Sequence, residues 1–400
     1  MNSSQKKTPR IAWLDALLIA VFAGLLWLPT ADYFGHFDRA PAPDENRLPA
    51  PPPRLARLNF AGLQACLADT EAYFNDHFGF RRRLIRWNHQ WKQRLYRNGR
   101  SADQVVVGQN GWLFFTEGRM IDHYLGLEQL TPRQLQSWQR LLEKRRDWLA
   151  ARGIKYLFVI PPDKHSIYPE NLPAWLIDSR PVGCRSKLDQ LVDYMRKHST
   201  VEVLDLRPAL LAGKKTAPTY LQQDSHWNWY GGFIGCQEVI KALARQTPQL
   251  PPLQLEDFDW SNAPAAGGDL ARILGLKDQP EKNNFVFTPK PPLVAPQIRQ
   301  VTNILRLRNP DDPAKPNFVV DNPNLPGPAV DLVVFHDSFG KAFRQFLGYS
   351  FHRIVFVWEN KEFNPRIITD NHPQIVISEM LERYFNIEDP DEMLAAEALP

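Results

Sequence analysis

The sequence predicts an α/β fold with a mostly parallel central sheet. Two helical segments each lead into a short run of β-forming residues: residues 131–153 precede "IKYLFVI", and "RSKLDQLVDYMRKH" precedes "VEVLDL". Three further apolar runs, "VDLVVF", "RIVFVW" and "QIVIS", follow late in the chain. Nearly continuous apolar strands that alternate with helices are typical of parallel sheets buried on both faces.

The amino terminus carries a candidate membrane anchor. Basic residues in "KKTPR" precede "IAWLDALLIAVFAGLLWLP", a stretch whose only charge is Asp15 and whose length can just span a bilayer. We therefore expect residues 1–30 to be a cytoplasmic tip and a transmembrane helix, with the rest of the chain on the outer side of the membrane. A cleaved signal peptide is the alternative, although "LPTADYFG" is a poor cleavage site.

A linker and a single large domain follow the anchor. Residues 31–58 are rich in proline and predict an extended spacer. The domain is expected over residues 59–388, with a tail at 389–400. Within it, apolar residues at three- and four-residue spacing over 60–97, broken at Gly79, predict two helices. "DQVVVGQNGWLFF" predicts a hairpin whose tight turn uses "QNG".

The helices of the sheet region have local start and stop signals. Thr131 and Pro132 are typical of a helix start, and Gly153 is typical of a helix end. Residues 247–330 are rich in proline and poor in helix signals, so we interpret them as an elaborated insertion within the same domain.

Composition argues against several classes of protein. The 400 residues carry 48 basic and 44 acidic side chains, a net charge of +4, and are 44% hydrophobic. The chain is therefore globular, and nothing in this balance favours a nucleic-acid partner. Basic clusters at 81–97 and 143–148 carry apolar residues at roughly helical spacing, which favours amphipathic helices over an anion-binding patch. The three cysteines show no metal-ligand spacing, and we expect neither a metal nor an organic cofactor.

A serine follows one of the predicted strands. In "DLVVFHDSFGKAF" the strand leads directly into His336, Asp337 and Ser338, and Gly340 opens a helical stretch. Open α/β sheets bind ligands at this edge, and the N–H groups of a helix start can stabilise an oxyanion. Ser338 thus has the position of a nucleophile. An N-cap serine is the alternative.

An aspartate and a histidine could activate this serine. In "QQDSHWNWYGG", Asp224 and His226 are two residues apart, so in an extended segment their side chains face the same way. A serine needs an imidazole base, and a carboxylate can fix the tautomer of that imidazole. Asn228 is expected to cap the helix that follows. A capping aspartate beside a buried histidine is the alternative, but the strand-end serine favours the catalytic interpretation.

"DSHW" followed much later by "HDSFG" resembles the signature of the AlgJ/AlgX family of bacterial polysaccharide O-acetyltransferases. "YFNDHFGFR", "VVVGQNGWLFF", "PPDKHSIYPENLP", "GGDLARILGL" and "ISEMLERYF" are also similar to family blocks. The resemblance implies an SGNH-hydrolase-like α/β/α sandwich with circularly permuted catalytic blocks. It implies that Asp224, His226 and Ser338 are acid, base and nucleophile. His336 departs from the family pattern, which often has a small residue two positions before the serine.

Four other residues are candidates for substrate binding. Lys164 and Tyr168 follow a predicted strand and could line the same sheet edge, or lie in a solvated loop. Trp227 could stack on a sugar face or pack the start of the helix. Asp269 in "GGDL" could bond a substrate hydroxyl or make a turn.

Two charged residues mark the end of the last predicted strand. Glu379 and Arg383 are four positions apart, the spacing at which side chains on a helix meet. We therefore expect them to form an ion pair. Neither residue is assigned to the candidate site.

The resemblance also implies a function and a place in the cell. It implies transfer of acetyl groups to hydroxyls of an exopolysaccharide in the periplasm, through acetyl-Ser338. The acetyl donor partner would be a membrane-bound O-acyltransferase, and the amino-terminal helix would hold the protein at the inner membrane. Since the chain ends soon after "LERYF", we expect the AlgJ type, without a carbohydrate-binding module.

Two other functions remain open at this stage. An acetylesterase acting on polysaccharide would use the same three residues and differ only in letting water compete with the acceptor. A non-catalytic scaffold of an acetylation and secretion complex would keep the fold without needing them. The identity of the polysaccharide is not encoded in any motif of the chain.

Overall fold

The computed structural model describes residues 12–35, 37, 50–53, 60–80, 83–84, 104–117, 119–248, 250–276, 279–301, 316–359, 361, 363–397 and 399. The chain divides into two compact units, residues 1–95 and 96–400. The helix expected near 81–97 and most of the proline-rich linker lie outside the described residues. The domain limits expected from the sequence stay a prediction.

The first unit contains two helices, α1 (Ala12–Gly35) and α2 (Phe60–His77). Within α1, the stretch Asp15–Asp32 is long and apolar enough to cross a membrane, and only 6% of it is buried. A signal sequence has the same properties, so membrane anchoring stays a prediction. The backbone N–H of Phe80, after α2, donates to the Asp32 carboxylate over 2.8 Å.

A seven-stranded sheet forms the centre of the second unit. Its strands lie in the order β4-β3-β11-β9-β10-β8-β7. The first five are parallel to one another, and β8 pairs antiparallel with β10 on one side and with β7 on the other. Their bounds are β3 (Lys155–Ile160), β4 (Val203–Asp205), β7 (Gln297–Val301), β8 (Asn317–Asp321), β9 (Asp331–His336), β10 (Arg353–Trp358) and β11 (Ile375–Glu379). The predicted mostly parallel sheet is confirmed.

The segment expected to be an insertion contributes to this sheet. Both antiparallel strands lie within residues 297–321, so the expectation for 247–330 was wrong in this respect. The sequence "QIRQV" of β7 is mostly exposed at the sheet edge and therefore lacks the apolar run that marks a buried strand. The same segment also forms a two-stranded hairpin, β5 (Phe258–Asn262) with β6 (Phe285–Pro289).

Two hydrophobic clusters cover the two faces of the sheet. Along β3, Leu157 and Val159 belong to one cluster, and Phe158 and Ile160 belong to the other. This alternation follows from the two-residue period of a strand. Helices pack on both clusters, which gives the α/β/α sandwich. Their bounds are α3 (Met120–Leu125), α4 (Pro132–Ala150), α5 (Lys164–Ile167), α6 (Ala174–Asp178), α7 (Lys187–His198), α8 (Arg207–Gly213), α9 (Trp229–Ala244), α10 (Asp269–Ile273), α11 (Gly340–Phe346), α12 (Pro365–Asn371) and α13 (Pro390–Ala396).

Local signals account for several element boundaries. Thr131 and Gln134 form a reciprocal capping box at the start of α4, with Pro132 in its first turn. The hairpin of β1 (Val105–Val107) with β2 (Leu113–Phe115) turns where Asn110 and Gly111 have φ of 55° and 82°. The predicted helix start at Thr131 and the predicted tight turn are both confirmed. Asn and Gly suit this turn because they tolerate positive φ.

Candidate active site

Ser338 lies in the short turn between β9 and α11. Its Oγ is 2.8 Å from Nε2 of His226. The turn is tight: a Cβ on Gly340 would lie 2.5 Å from the His336 side chain, so only glycine fits there. Since α11 starts two residues later, Ser338 is placed at the carboxyl edge of the parallel sheet, where α/β proteins bind ligands.

The carboxyl groups of Asp337 and Glu379 bond backbone N–H groups in and beside the turn that carries Ser338. Asp337 accepts hydrogen bonds from the backbone N–H groups of Phe339 and Leu381, both over 2.9 Å. The N–H of Asp337 in turn donates to Glu379 Oε2 over 2.9 Å. These bonds join the end of β9 to the end of β11, which restricts where the Ser338 backbone can lie.

His226 is oriented by Asp224, which precedes it by two residues. Oδ1 of Asp224 accepts from His226 Nδ1 over 2.7 Å and from the His226 backbone N–H over 2.9 Å. An ionised carboxylate can only accept, so the ring hydrogen is on Nδ1 and Nε2 is left to accept from the Ser338 hydroxyl. Asn228 caps α9 by accepting from the Gly231 N–H over 2.9 Å, as predicted.

A second carboxylate, on Asp269 at the start of α10, supports this pair. The Asp269 N–H donates to Asp224 Oδ2 over 2.9 Å, and Asp269 accepts from the Ser225 N–H and hydroxyl over 2.7 and 2.5 Å. A Cβ on Gly268 would lie 2.4 Å from that of Asp224, so the close approach requires glycine. "GGDL" was the only signal for this support, and it pointed to Asp269 without showing which groups Asp269 binds.

The electrostatics of the pair suit a general base. Burial alone would lower the pKa of His226, but the hydrogen bond to Asp224 and the charges of Asp224 and Asp269 outweigh burial and raise it. Burial likewise acts to raise the pKa of Asp224, and the contacts with His226 lower it well below its usual range. Asp224 therefore stays ionised at neutral pH and stabilises the imidazolium that forms when His226 takes a proton.

Donor atoms of Asp224, His226 and Asp269 all lie within 4.8 Å of one another, as the ligands of a metal would. Hydrogen bonds account for this spacing. Nδ1 of His226 bonds Asp224, and the carboxylate of Asp269 accepts from Ser225. The cluster thus has a structural explanation that needs no ion, and the expectation of no metal stays a prediction.

Ser338 and His226 open onto a cavity of about 180 Å³. Its wall also carries Trp229, half-buried at the start of α9, and Lys341, exposed in the first turn of α11. The remaining lining residues are Leu221, Asp224, Trp227, Asn228, Asn284 and Ala342. Trp229 was not among the residues expected from the sequence, although its position beside the capping Asn228 was visible there.

The residues predicted to bind substrate differ in position and contacts. Trp227 lines the cavity but is 5% exposed, and its ring packs against Phe339 and Phe343 at 5.2 and 5.7 Å between centroids. Packing is thus its evident role. Asp269 lies beside the catalytic candidates, where it holds the Ser225 loop.

Lys164 and Tyr168 are not among the residues lining this cavity, so the expectation that they bind substrate there needs correction. Both are 4% exposed. Lys164 donates to the carbonyl groups of Leu113 and Gln222 over 2.7 and 3.1 Å, and burial lowers its pKa to about 8. The Tyr168 hydroxyl accepts from the Thr219 N–H over 2.8 Å. Their sequence position at the strand end gave no sign that they turn inward.

The expected ion pair between Glu379 and Arg383 does not form. Glu379 is fully buried and bonds Asp337, whereas Arg383 donates to Asp163 over 2.9 Å. The sequence spacing assumed an α-helix, but Glu379 is the last residue of β11, and Arg383 lies in a 3₁₀ turn. Side chains four positions apart meet only on a continuous α-helix.

Comparisons with known proteins agree with this fold. Residues 105–294 match the family model described as "SGNH hydrolase-like domain, acetyltransferase AlgX". The matched range includes Asp224 and His226 and ends before Ser338. A relative described as "Probable alginate O-acetylase AlgJ", from Pseudomonas syringae, is 28% identical over 264 residues, which are 66% of this chain. The chain spans 61% of the length of that relative.

Two solved structures share the architecture. Bacillus cereus PatB1 with a sulfonyl adduct superposes with a TM-score of 0.54 at 15% identity, over 74% of this chain and 100% of PatB1. A DHHW family protein from Eubacterium siraeum superposes with a TM-score of 0.52 at 15% identity, over 76% of this chain and 98% of that protein. Similarity at this level of identity concerns the fold.

Proposed function

We propose that this chain, whose residues 105–294 carry the SGNH hydrolase-like domain of the AlgX acetyltransferase family, transfers acetyl groups to hydroxyls of an exopolysaccharide. The observation that carries the proposal is the continuous chain of hydrogen bonds from Asp224 through His226 to Ser338, with lengths of 2.7 and 2.8 Å. This series of hydrogen bonds ends at the half-buried Ser338, which faces a cavity. It is the arrangement that a serine needs to become a nucleophile.

The first half-reaction makes acetyl-Ser338. Ser338 Oγ attacks the acetyl carbonyl carbon of the donor while its proton passes to His226 Nε2. The tetrahedral intermediate collapses when Nε2–H returns that proton to the leaving oxygen, so a new ester bond replaces the old one. The carboxylate of Asp224 stabilises the imidazolium between the two proton transfers.

The oxyanion of that intermediate needs a hydrogen-bond donor. The Phe339 N–H is already bonded to Asp337. The Ser338 N–H has no partner in the described part of the chain, so we assign it as one donor to the oxyanion. A donor fixed in place before the reaction is worth far more than one that must reorganise during it.

The second half-reaction moves the acetyl group to the sugar. His226 Nε2 takes the proton of an acceptor hydroxyl, whose oxygen attacks the acetyl-serine carbonyl. Collapse of the second intermediate releases the acetylated sugar, and Nε2–H returns the proton to Ser338 Oγ. The half-buried Trp229 on the cavity wall provides an apolar surface beside the reacting hydroxyl.

The place of action is part of the proposal. With α1 as an anchor in the inner membrane, the domain expected over residues 59–388 would work in the periplasm, and its acetyl donor would be a membrane-bound O-acyltransferase. The relative described as a probable alginate O-acetylase supports an alginate-type acceptor. An acetylesterase is the second candidate, because the cavity is open to solvent and water could replace the sugar hydroxyl.

Mass spectrometry of reaction products tests the proposal. The full chain in detergent is incubated with an activated acetyl ester and mixed oligosaccharides, beside Ser338→Ala and the control Ser179→Ala, which changes an exposed serine after α6. We expect acetylated sugar from the wild type and from Ser179→Ala, and none from Ser338→Ala. Acetate without acetylated sugar would establish the esterase instead. Equal turnover by Ser338→Ala would exclude Ser338 as the nucleophile.

A further inference from the structure

A second cavity, of about 360 Å³, lies at the carboxyl ends of β3 and β4. His165 and Ser166 line it from the segment that follows β3, and Asp205 lines it from the end of β4. Arg207 on α8 and Arg180 after α6 also line it, and its other polar lining residues are His123, Ser186 and Asp189. None of its lining residues lines the cavity beside Ser338, so the two spaces are separate.

The charged side chains around this cavity are largely paired. Arg207 donates to Asp205 and to Asp189, each over 2.7 Å, and His123, which also lines the cavity, bonds the buried Glu382 at 3.0 Å. Burial lowers the pKa of His165 to about 4, so its ring is uncharged at neutral pH. The cavity wall presents both hydrogen-bond donors and acceptors, which the hydroxyls of one sugar unit can satisfy together.

Several polar groups around the cavity have spare bonding capacity. His165 is 3% exposed, and its Nε2 has no hydrogen-bond partner in the described part of the chain. Buried polar atoms are normally bonded, so this atom calls for an explanation. The Arg180 guanidinium bonds Cys184 Sγ over 3.1 Å and has no acidic partner among the residues that the structure describes. It lies 4.6 Å from the centre of the Tyr124 ring, which also lines the cavity.

This cavity and the catalytic candidates lie along the same edge of the sheet. In the strand order β4-β3-β11-β9, the carboxyl ends of all four parallel strands lie at one edge. Ser338 follows β9, and the second cavity follows β3 and β4. Since adjacent strands are about 4.8 Å apart, the two sites are separated by roughly 10–15 Å along the edge. Several linked sugar units of one polymer can cover that distance.

We propose that the second cavity binds one pyranose unit of the polysaccharide acceptor while another unit of the same polymer reaches Ser338. The hydroxyls of the sugar bond Arg180 and the exposed edge of the Arg207–Asp189 pair, and Leu211 contacts its apolar face. The inference rests on the proposed function, which supplies the polymer. It adds that the enzyme holds its acceptor at two places and favours chains over single sugars.

Calorimetric binding to the full chain in detergent tests this inference. The chain carries Ser338→Ala so that no acetyl transfer occurs, and the probes are alginate hexasaccharide, cellohexaose and inorganic phosphate. Leu211→Trp is added to fill the cavity from a side chain that is 43% exposed, and Arg180→Ala is added separately to remove a donor. We expect each to weaken binding of at least one hexasaccharide at least tenfold.

Matched controls change exposed residues that do not line the cavity. Leu127→Trp adds the same bulk at a side chain that is 62% exposed, and Arg196→Ala removes an arginine from α7. Both should bind within twofold of Ser338→Ala. Circular dichroism melting curves check that the variants fold. Equal binding by Leu211→Trp and Leu127→Trp, no binding of either hexasaccharide, or Arg180-dependent binding of phosphate alone would each overturn the inference.

The result is independent of the test for acetyl transfer. If the wild type makes no acetylated sugar but the cavity variants still weaken hexasaccharide binding, the proposed activity fails while the binding site stands. If the wild type acetylates sugar and Leu211→Trp binds hexasaccharides normally, the activity stands and the second site fails.

Discussion

The backbone N–H of Asp269 donates to Oδ2 of Asp224 over 2.9 Å, so the carboxylate that orients His226 is itself held by the first residue of α10, 45 positions further along the chain. Oδ1 of Asp224 is left to face the imidazole. The orientation of the base therefore depends on two segments. This dependence makes several variants informative.

The pH profile of acetyl transfer should report the raised pKa of His226. The base acts only when it is neutral, so kcat/KM is expected to rise with pH through the pKa of the folded protein, with a midpoint above the ordinary 6.5. Asp224→Asn removes the carboxylate charge. It should move the midpoint down and lower kcat by about 10⁴-fold. A wild-type midpoint at or below 6.5 would contradict this assignment.

Asp269 should act as a positioning residue. Asp269→Ala removes the acceptor of the Ser225 N–H and is expected to lower kcat about 10–100-fold, since a hydrogen bond to a charged group contributes about 1.5–3 kcal/mol. Asp269→Asn keeps an acceptor for the Ser225 N–H, so its kcat should fall less than that of Asp269→Ala. Because both remove a charge that raises the pKa of His226, both should shift the acid limb of the pH profile down.

Asp259→Asn is the control for these variants, since Asp259 is 79% exposed in the β5–β6 hairpin. It should change neither kcat nor the pH profile. A loss of activity in Asp269→Ala with an unchanged acid limb would indicate a general structural role for Asp269.

Glu379 should stabilise the turn of Ser338 as a protonated acid. Burial and the neighbouring Asp337 raise its pKa well above 4.5. A raised pKa stabilises the fold below 4.5, and this contribution is lost as pH rises through the higher pKa of the folded state. The urea midpoint of the wild type is therefore expected to fall, relative to that of Glu379→Gln, as pH is raised above 4.5.

Glu379→Leu separates charge from hydrogen bonding. It leaves the Asp337 N–H without its acceptor, which should cost about 1–3 kcal/mol of unfolding free energy relative to Glu379→Gln. Equal urea midpoints for the two variants at every pH would show that the hydrogen bond to Asp337 contributes nothing.

Trp229 should contribute to acceptor binding in the cavity beside Ser338. Trp229→Ala removes an apolar surface whose burial against a sugar is worth about 1.5–3 kcal/mol, so KM for oligosaccharide should rise about tenfold or more. Trp175→Ala, at a side chain that is 40% exposed outside that cavity, is the control. Steady-state kinetics with varied acceptor decide the matter, and an unchanged KM in Trp229→Ala would remove Trp229 from the acceptor site.

Much of the fold could be predicted because its signals are local. The capping residues Thr131 and Asn228 and the turn residues Asn110 and Gly111 act within a few positions of the chain. The buried strands can also be recognised from their own apolar sequence, without knowing which strand pairs with them. The exposed strand β7 could not be recognised, since its pairing with β8 uses backbone groups that every sequence has.

Local patterns in the chain were enough to predict the parallel core, the placement of Ser338 after a strand, and the two-residue spacing that lets Asp224 face His226. The approach of Ser338 to within 2.8 Å of His226, 112 positions away in the chain, could be seen only in the folded molecule. The burial of Lys164 and the absence of an ion pair between Glu379 and Arg383 were likewise seen only there. The physical reason is that periodicity and capping act between near neighbours, whereas these contacts depend on how strands and loops pack across the sheet edge.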